Sequence, residues 1–542
     1  MAPAAPVPHV CRPHRAKSRL GRGLERITAP FLLVVGLLGA LFHLLATRLA
    51  MAGPGVFVET APTATPSDNQ AAPGAAFFLV GLCDRGTTTG VVTVRSYTEF
   101  LNVCGPHVPY GSLHDQVRLY FAMGGNLAHI ARVVGGAATV GTLTLQDRNG
   151  TPANTVRIDA VSAGAWSANI AIEITNGELA DTYTIKVYVD GATVPNEVYP
   201  NLATPAAGVT ALLQSSYVRG TDLASGSTAP ANNPAVLVKT ALSAGSDDRA
   251  AVNAAALTAA LARFTTEFGD GIVAIPGHDS STVGAGLIAH ARTFNRLTAL
   301  ATTRTASVAH AKSAATAFAA SNTGAEHAIL LYPWVKVDDG AGGQRSISPE
   351  AYLAGARARA HIQVGPWKAA AGEISVAAQV LDVETTLTDT EGADLNDARV
   401  AAIRKISGRV QLYGYRTLSL DQVRYLFLTT RDVLNTVAHR GKRSLQRLVF
   451  GVIDSRGQYQ AEVEGEIIAI LDPMLNAGGL YELTNDDGEV IDAAYAVDAG
   501  PGVNPPDQIA QGIFACNAAL RVAGVAERIL LRITSVGFDE TL

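Results

Sequence analysis

A chain of 542 residues that is 48% hydrophobic and 16% charged has the composition of a well-buried globular protein of roughly two to four domains, which excludes collagen-like and low-complexity chains. Its net charge of −5, with no strongly basic half, excludes the concentrated basic footprint of a nucleic-acid binder. Cys11, Cys83, Cys104 and Cys516 form no CxxC pair and no Cys/His cluster, so neither a zinc site nor a disulfide framework is indicated, and buried free thiols in a reducing compartment are expected.

Residues 1–50 differ in kind from the rest. Arg12, Arg15, Lys17, Arg19, Arg22, Arg26 and Arg48 stand against Glu25 alone, a net of +6, so the chain's −5 becomes −11 on the other 492 residues. Ile27 to Thr47 is uncharged and contains "FLLVVGLLGALFHLL", long enough to span a bilayer. The segment reads as a signal anchor or transmembrane helix, or else as upstream sequence outside the mature protein. Methionine is rare, and Met51 directly precedes the first soluble-looking residues, so Met51 is expected to be the true start.

Residues 51–74 begin with "PGVFVE", a short strand with no hairpin partner beside it, and continue as the turn-rich "TAPTATPSDNQAAPG". Residues 75–136 form an α/β unit. "AAFFLVGLCDRG" is a buried strand, and "VVTVRSYTEFLNVCG" is a strand followed by a short helix with a capping box of Ser96 and Glu99. "SLHDQVRLYFAMGG" is an amphipathic helix with Leu113, Val117, Tyr120 and Phe121 on one face, and "LAHIARVVGG" is a third strand. Residues 137–239 alternate with period two between turns, in "GTLTLQD", "NTVRIDAVS", "NIAIEITNG" and "TYTIKVYVDG", which predicts an inserted all-β domain ending in the linker "ASGSTAPANNPA".

Residues 240–400 return to α/β alternation, which predicts a largely parallel sheet. Helices are expected at 247–264, 281–299 and 305–320, with strands at "GIVAIPG", near 300 and at "HAILLYPWVKV". Residues 401–542 mix two helices, "LSLDQVRYLFLTTRDVLNTVAHRGKRSLQRLVF" and "YQAEVEGEIIAILDPMLNAGG", with the strands "EVIDAAYAVD", "GIFACNAALRV" and "ERILLRITSV".

Chemistry-bearing motifs are sparse. The sequence holds no P-loop, GxSxG or HExxH. His278, Asp279 and Ser280 are adjacent, but side chains of consecutive residues diverge, whereas a triad must converge, so a polar loop is expected. Asp247-Asp248 and Asp338-Asp339 fit helix starts or turns better than a cation site. The histidines show no metal-ligand spacing, and no catalytic, metal or cofactor residue is assigned. Arg440, Lys442, Arg443 and Arg447, with Arg424 and Arg431 upstream, make a basic helix that is either a solvated face or a docking face for an acidic partner.

Several stretches together resemble the contractile tail sheath proteins of bacteriophages and phage-like injection particles: "PGVFVE", "LSAGSDD", "LLYPWVKV" with "ISPEAYLAGARARAHIQVGPWKAAAGE", "LTDTEGADLN", "LYGYRTLS", "TTRDVLNTVAHRGKRSLQRLVF", "NPPDQIAQG" and "AERILLRITSV". They occur in the family's order over about residues 51–542. Departures fall at Trp166-Ser167-Ala168-Asn169, at Ala369-Ala370-Ala371-Gly372 and at Phe450-Gly451-Val452-Ile453.

The resemblance implies a multi-domain α/β fold. Its expected parts are a subtilisin-like domain at 240–400 without proteolysis, the inserted β domain, and an α+β core built from the N- and C-terminal parts. It implies strand exchange between subunits through Val56, Phe57 and Val58 at one end and Ile529, Leu531 and Ile533 at the other. On such a particle the positive charge of the helix carrying Arg431, Arg440, Lys442, Arg443 and Arg447, on an otherwise acidic chain, makes it the expected tube-facing surface. The implied partners are other copies of the chain, an inner tail tube protein, and baseplate and tail terminator proteins; no nucleic acid or cofactor is implied, and a membrane only if the leader is real. The location implied is a virion tail or phage-like particle assembled in the bacterial cytoplasm, with a membrane-anchored variant and a hydrolase as the alternatives.

Overall fold

Six apolar runs, Ala76–Gly81, Ala128–Arg132, Gly271–Ala274, Leu297–Ala301, Ala328–Tyr332 and Val400–Ile406, pair side by side and all run parallel. Short antiparallel strands, Val92–Val94 and Arg409–Leu412, close the two edges of this eight-stranded sheet. Parallel strands need crossover connections, and the helices that make them cover both faces, which is why the central runs are continuously apolar. Phe77 and Leu79 point to one face, toward the helices Leu113–Ala122 and Glu350–Gln363. Ala76, Phe78 and Val80 point to the other, toward Ala254–Ala260, Ser280–Thr293 and Val308–Ser321.

The computed structural model describes residues 75–339 and 342–533, which lie within one compact unit, Gln70–Leu542. Calls on the leader and on the arm at 51–74 lie outside the described residues. Among the described residues no helix is long and apolar enough to cross a membrane.

The eight-stranded sheet draws its strands from three of the expected segments. Strands from 75–136 sit in the same sheet as strands from 271–412, and the boundary expected at 400 falls at the first residue of a central strand. The reason is long-range parallel pairing: Ala76–Leu79 pairs with Gly271–Ala274, a partner nearly two hundred positions away in sequence.

The residues expected to form an inserted β domain pack around a hydrophobic cluster of their own, from Leu145 and Trp166 to Leu242. They form a four-stranded and a three-stranded antiparallel sheet. The last strand, Leu237–Ala241, runs past the expected end at 239. The chain enters and leaves through one neck, where Thr139 and Ser246 exchange backbone hydrogen bonds of 2.8 and 2.9 Å. The expected linker at 224–235 is part of the domain, since buried Asn233 donates to the carbonyls of Asp181 (2.9 Å) and Ala203 (3.1 Å).

Other differences are local. Ser96 accepts from the Glu99 amide as expected, but the Glu99 carboxylate accepts from the amide of Arg95. The helix expected over 247–264 is a short helix, Ala254–Ala260, between 3-10 turns. The helix expected over 281–299 ends at Thr293, and Leu297 already begins a strand. "HAILLYPWVKV" is cut at Pro333, which cannot donate to a ladder, and Val335–Asp338 joins a separate three-stranded sheet.

The C-terminal lobe packs the helices Leu428–Leu445 and Gln458–Asn476 around Val433, Val437, Ile467, Ile470, Leu471 and Met474. Residues 420–427, expected to be helical, are irregular and lead into the helix start at Leu428.

Candidate assembly surface

The C-terminal segment leaves the C-terminal lobe and crosses to the α/β body. Leu480 bridges Val522, and the Ala523 amide donates to the Gly479 carbonyl at 3.0 Å. Val525 then packs against the main core. Glu527 accepts from the Arg416 guanidinium, with Nη2 at 2.6 Å, and from Asn396 Nδ2 at 2.6 Å. Arg528 pairs with Asp397 at 2.9 Å. Over the next described residues, Ile529, Leu531 and Ile533 are 90%, 77% and 85% exposed, with Leu530 at 77% between them. The strand expected from Arg528 is absent over the described residues 528–533, and no second strand among the described residues pairs with them. Val56, Phe57 and Val58 lie outside the described residues.

Next to this root lies a two-stranded antiparallel sheet, Tyr495–Asp498 with Asn517–Leu520. Tyr495, Val497 and Leu520 rest on the core of the C-terminal lobe. Neither strand has a third neighbour among the described residues. A two-stranded sheet is marginal by itself, and each outer edge is a template for a further strand.

The expected basic helix is split by its surroundings. Arg431 is half-buried, donates to Asn435 Oδ1 at 2.9 Å, and has its guanidinium pKa lowered by burial. Arg447 lies just past the helix and pairs with Glu466 and Glu462 of the following helix. Lys442 and Arg443 are exposed, and Arg440 is half-buried. The five cations therefore do not make one uniform face, because the antiparallel neighbour Gln458–Asn476 supplies carboxylates to the last turn.

A buried polar trio that sequence patterns did not single out joins the body to the lobe. Arg357 and His361, on the helix Glu350–Gln363, both meet Asp432 of the helix Leu428–Leu445. The available signal was the i, i+4 spacing of Arg357 and His361 in the otherwise alanine-rich "AGARARAH". Burial works against the Asp432 carboxylate, but the Arg357 and His361 partners outweigh it and hold the pKa down at about 2.

The remaining candidates have structural roles. Asp279 caps the helix Ser280–Thr293, accepting from the Ser281 amide at 2.9 Å. Ser280 is buried with its hydroxyl on Asp279 (3.2 Å), so these residues make a helix cap and not a nucleophile–base pair. The Asp248 carboxylate accepts from the Ala137 amide at 2.9 Å, in the neck of the inserted domain. Asp339 accepts from the Gly343 amide at 2.9 Å in a turn. No group of three or more metal-ligating side chains converges among the described residues.

No family model matches the chain, and no curated protein matches it. Solved structures share its fold. The sheath tail protein from Listeria innocua aligns with a TM-score of 0.57 at 14% identity, over 80% of this chain and 90% of that one. The sheath tail protein from Desulfitobacterium hafniense aligns with a TM-score of 0.52 at 14% identity, over 82% and 93%. A chain from the contracted baseplate of the anti-feeding prophage aligns with a TM-score of 0.53 at 16% identity, over 90% and 100%.

Proposed function

We propose that this chain is the structural protomer of a contractile tail sheath, a helical homopolymer around an inner tube that contracts to drive the tube through a target cell envelope. The observation that carries this reading is the exposed apolar segment Ile529–Ile533 leaving a fixed root, on a fold shared with sheath tail proteins. Among the described residues that segment has no strand partner. In a polymer it adds to a neighbour's sheet by β-augmentation, and the two-stranded sheet Tyr495–Asp498/Asn517–Leu520 supplies a fitting edge.

The N-terminal strand Val56-Phe57-Val58 acts in the same way from its turn-rich tether. At most about 3.3 Å per residue, a tether of about fifteen residues spans up to roughly 50 Å, enough to reach an adjacent subunit. Each exchange is head-to-tail, which builds an open helical array in place of a closed ring. Subunits linked in this way rotate and slide without dissociating. Greater burial between subunits in the contracted state drives the stroke, summed over many copies, and no catalytic step is needed. The cations around Arg440, Lys442 and Arg443, with Arg431 and Arg447 bracing the same helix, face the tube. Baseplate and terminator proteins bound the array, in a phage tail or phage-like particle. The parallel sheet covered by helices supports a subtilisin-like reading of 240–400 as a matter of fold alone.

Negative-stain microscopy of the chain from Met51 onward, against versions lacking residues 51–60 or ending at Arg528, tests this. Tubular polymers from the first and small species from the other two are expected. Small species from all three, with or without an inner tube as template, would sink the reading.

A further inference from the structure

The exposed C-terminal segment is anchored with unusual care for a chain end. Glu527 receives a bifurcated hydrogen bond from Arg416 Nε (3.1 and 3.2 Å to its two oxygens) and one from Nη2 (2.6 Å), and Asn396 Nδ2 adds a further one at 2.6 Å. Arg416 also donates through Nη1 to the Asn396 carbonyl (3.2 Å) and to Asp397 Oδ1 (3.2 Å), the oxygen that Arg528 reaches at 2.9 Å. Both members are largely shielded, with side-chain exposures of 14% for Arg416 and 21% for Glu527. A two-pronged, charge-assisted pair of this kind restrains direction as well as distance. Exposure climbs from 21% at the Glu527 side chain through 71% at that of Arg528 to 90% at Ile529, where the apolar run begins.

We propose that the Arg416–Glu527 clamp is a positioning device for strand donation, fixing where the C-terminal strand leaves the subunit so that only residues from Ile529 onward are free to search for a neighbour; this rests on the sheath reading above. Without the clamp the last contacts holding the segment would be the Ala523 amide on the Gly479 carbonyl and Val525 against the main core, so the free segment would begin near Ala526. A longer tether dilutes the strand at its target and adds ordering cost to each donation. The clamp keeps the donating strand short and aimed. It also carries load, because tension on an exchanged strand passes through Glu527 to the helix Asp389–Asp397 before reaching the lobe.

The test uses the full chain with Arg416→Gln, Arg416→Lys and Glu527→Gln. Two readouts are taken: tryptic cleavage after Arg528 in the monomer, and the threshold concentration for polymer by light scattering and microscopy. Cleavage should quicken in both glutamine variants. The threshold should rise roughly three- to tenfold. Arg416→Lys, which keeps charge but loses the fork, should fall between, and the melting temperature of the monomer should stay close to that of the unaltered chain. Faster cleavage with an unchanged threshold overturns the proposal, as does a threshold that moves only with the melting temperature. Rapid cleavage after Arg528 in the unaltered chain refutes the clamp while leaving the sheath reading intact. An unaltered chain that resists cleavage yet never polymerises refutes the sheath reading, and strand donation with it.

Discussion

Arg357 and Asp432 face each other across the junction of the α/β body and the C-terminal lobe, with Nε to Oδ2 at 2.8 Å and Nη2 to Oδ1 at 2.6 Å, each residue 1% exposed. His361 Nε2 stands 2.8 Å from the same Oδ2. Two charges withdrawn from water in this way gain little over a well-packed apolar pair, but removing one strands the other. Asp432→Asn or Arg357→Met should each cost about 3–5 kcal/mol. The double change Arg357→Met with Asp432→Leu should recover most of it. Chemical denaturation of the single and double variants measures the coupling.

Acid should act in two stages. The folded chain holds His129 and His327 near a pKa of about 4 and His290 near about 3, in each case chiefly because burial disfavours the charged ring. The unfolded chain takes up those protons near the ordinary value of 6.5, so stability present above pH 6.5 is lost as the pH falls toward about 4. Asp432 adds a second stage. Its folded pKa of about 2 lies below the ordinary 3.8, so its contribution is complete above pH 3.8 and drains as the pH falls toward 2. Melting temperature against pH should decline most steeply between about 6.5 and 4, where three histidines take up protons only on unfolding, and continue to fall less steeply below about 4, where His290 and Asp432 remain. A profile flat from pH 7 to 4 would contradict the neutral, buried histidines.

Glu350 runs the other way. It is 1% exposed, its Oε2 has no hydrogen-bond partner, and burial raises its pKa to about 7 from 4.5. The stability it contributes in its neutral form is complete below pH 4.5 and is lost as the pH rises through 7. Glu350→Gln should therefore stabilise the protein at pH 8 by on the order of 2 kcal/mol and do little at pH 4.5. Equal effects at both values would refute the shift.

The inserted β domain should be separable. Gly135 donates to the Asp247 carbonyl at 2.9 Å, so the ends of the excision already lie together. Joining Gly136 to Asp247 through two glycines should leave the eight-stranded sheet folded, with melting lowered by no more than about 5 °C. The chief losses are the Arg85–Asp190 ion pair and the stacking of Arg85 over Trp166. Failure of the shortened chain to fold would show that the domain supports the body.

Local chemistry was legible in the sequence. Period-two alternation marked the inserted domain, continuous apolar runs marked Ala76–Gly81 and Ala328–Tyr332, and Ser96 announced its helix, because each signal is written within a few residues. The apolar character of Ile529–Ile533 was plain, but not its exposure, and Asp279 and Ser280, expected in a polar loop, cap and begin a helix. Tertiary structure decided the rest. Which parallel strands share a sheet depends on crossovers that no local period records, so 75–136 merged with 271–412. Whether a cation is free depends on the element beside it, so Arg447 found Glu466 and Arg431 turned to Asn435. Arg357 met Asp432, and Arg416 met Glu527, only because distant segments were brought together and water was excluded between them. Propensity and period are properties of neighbours along the chain, whereas burial and pairing are properties of neighbours in space.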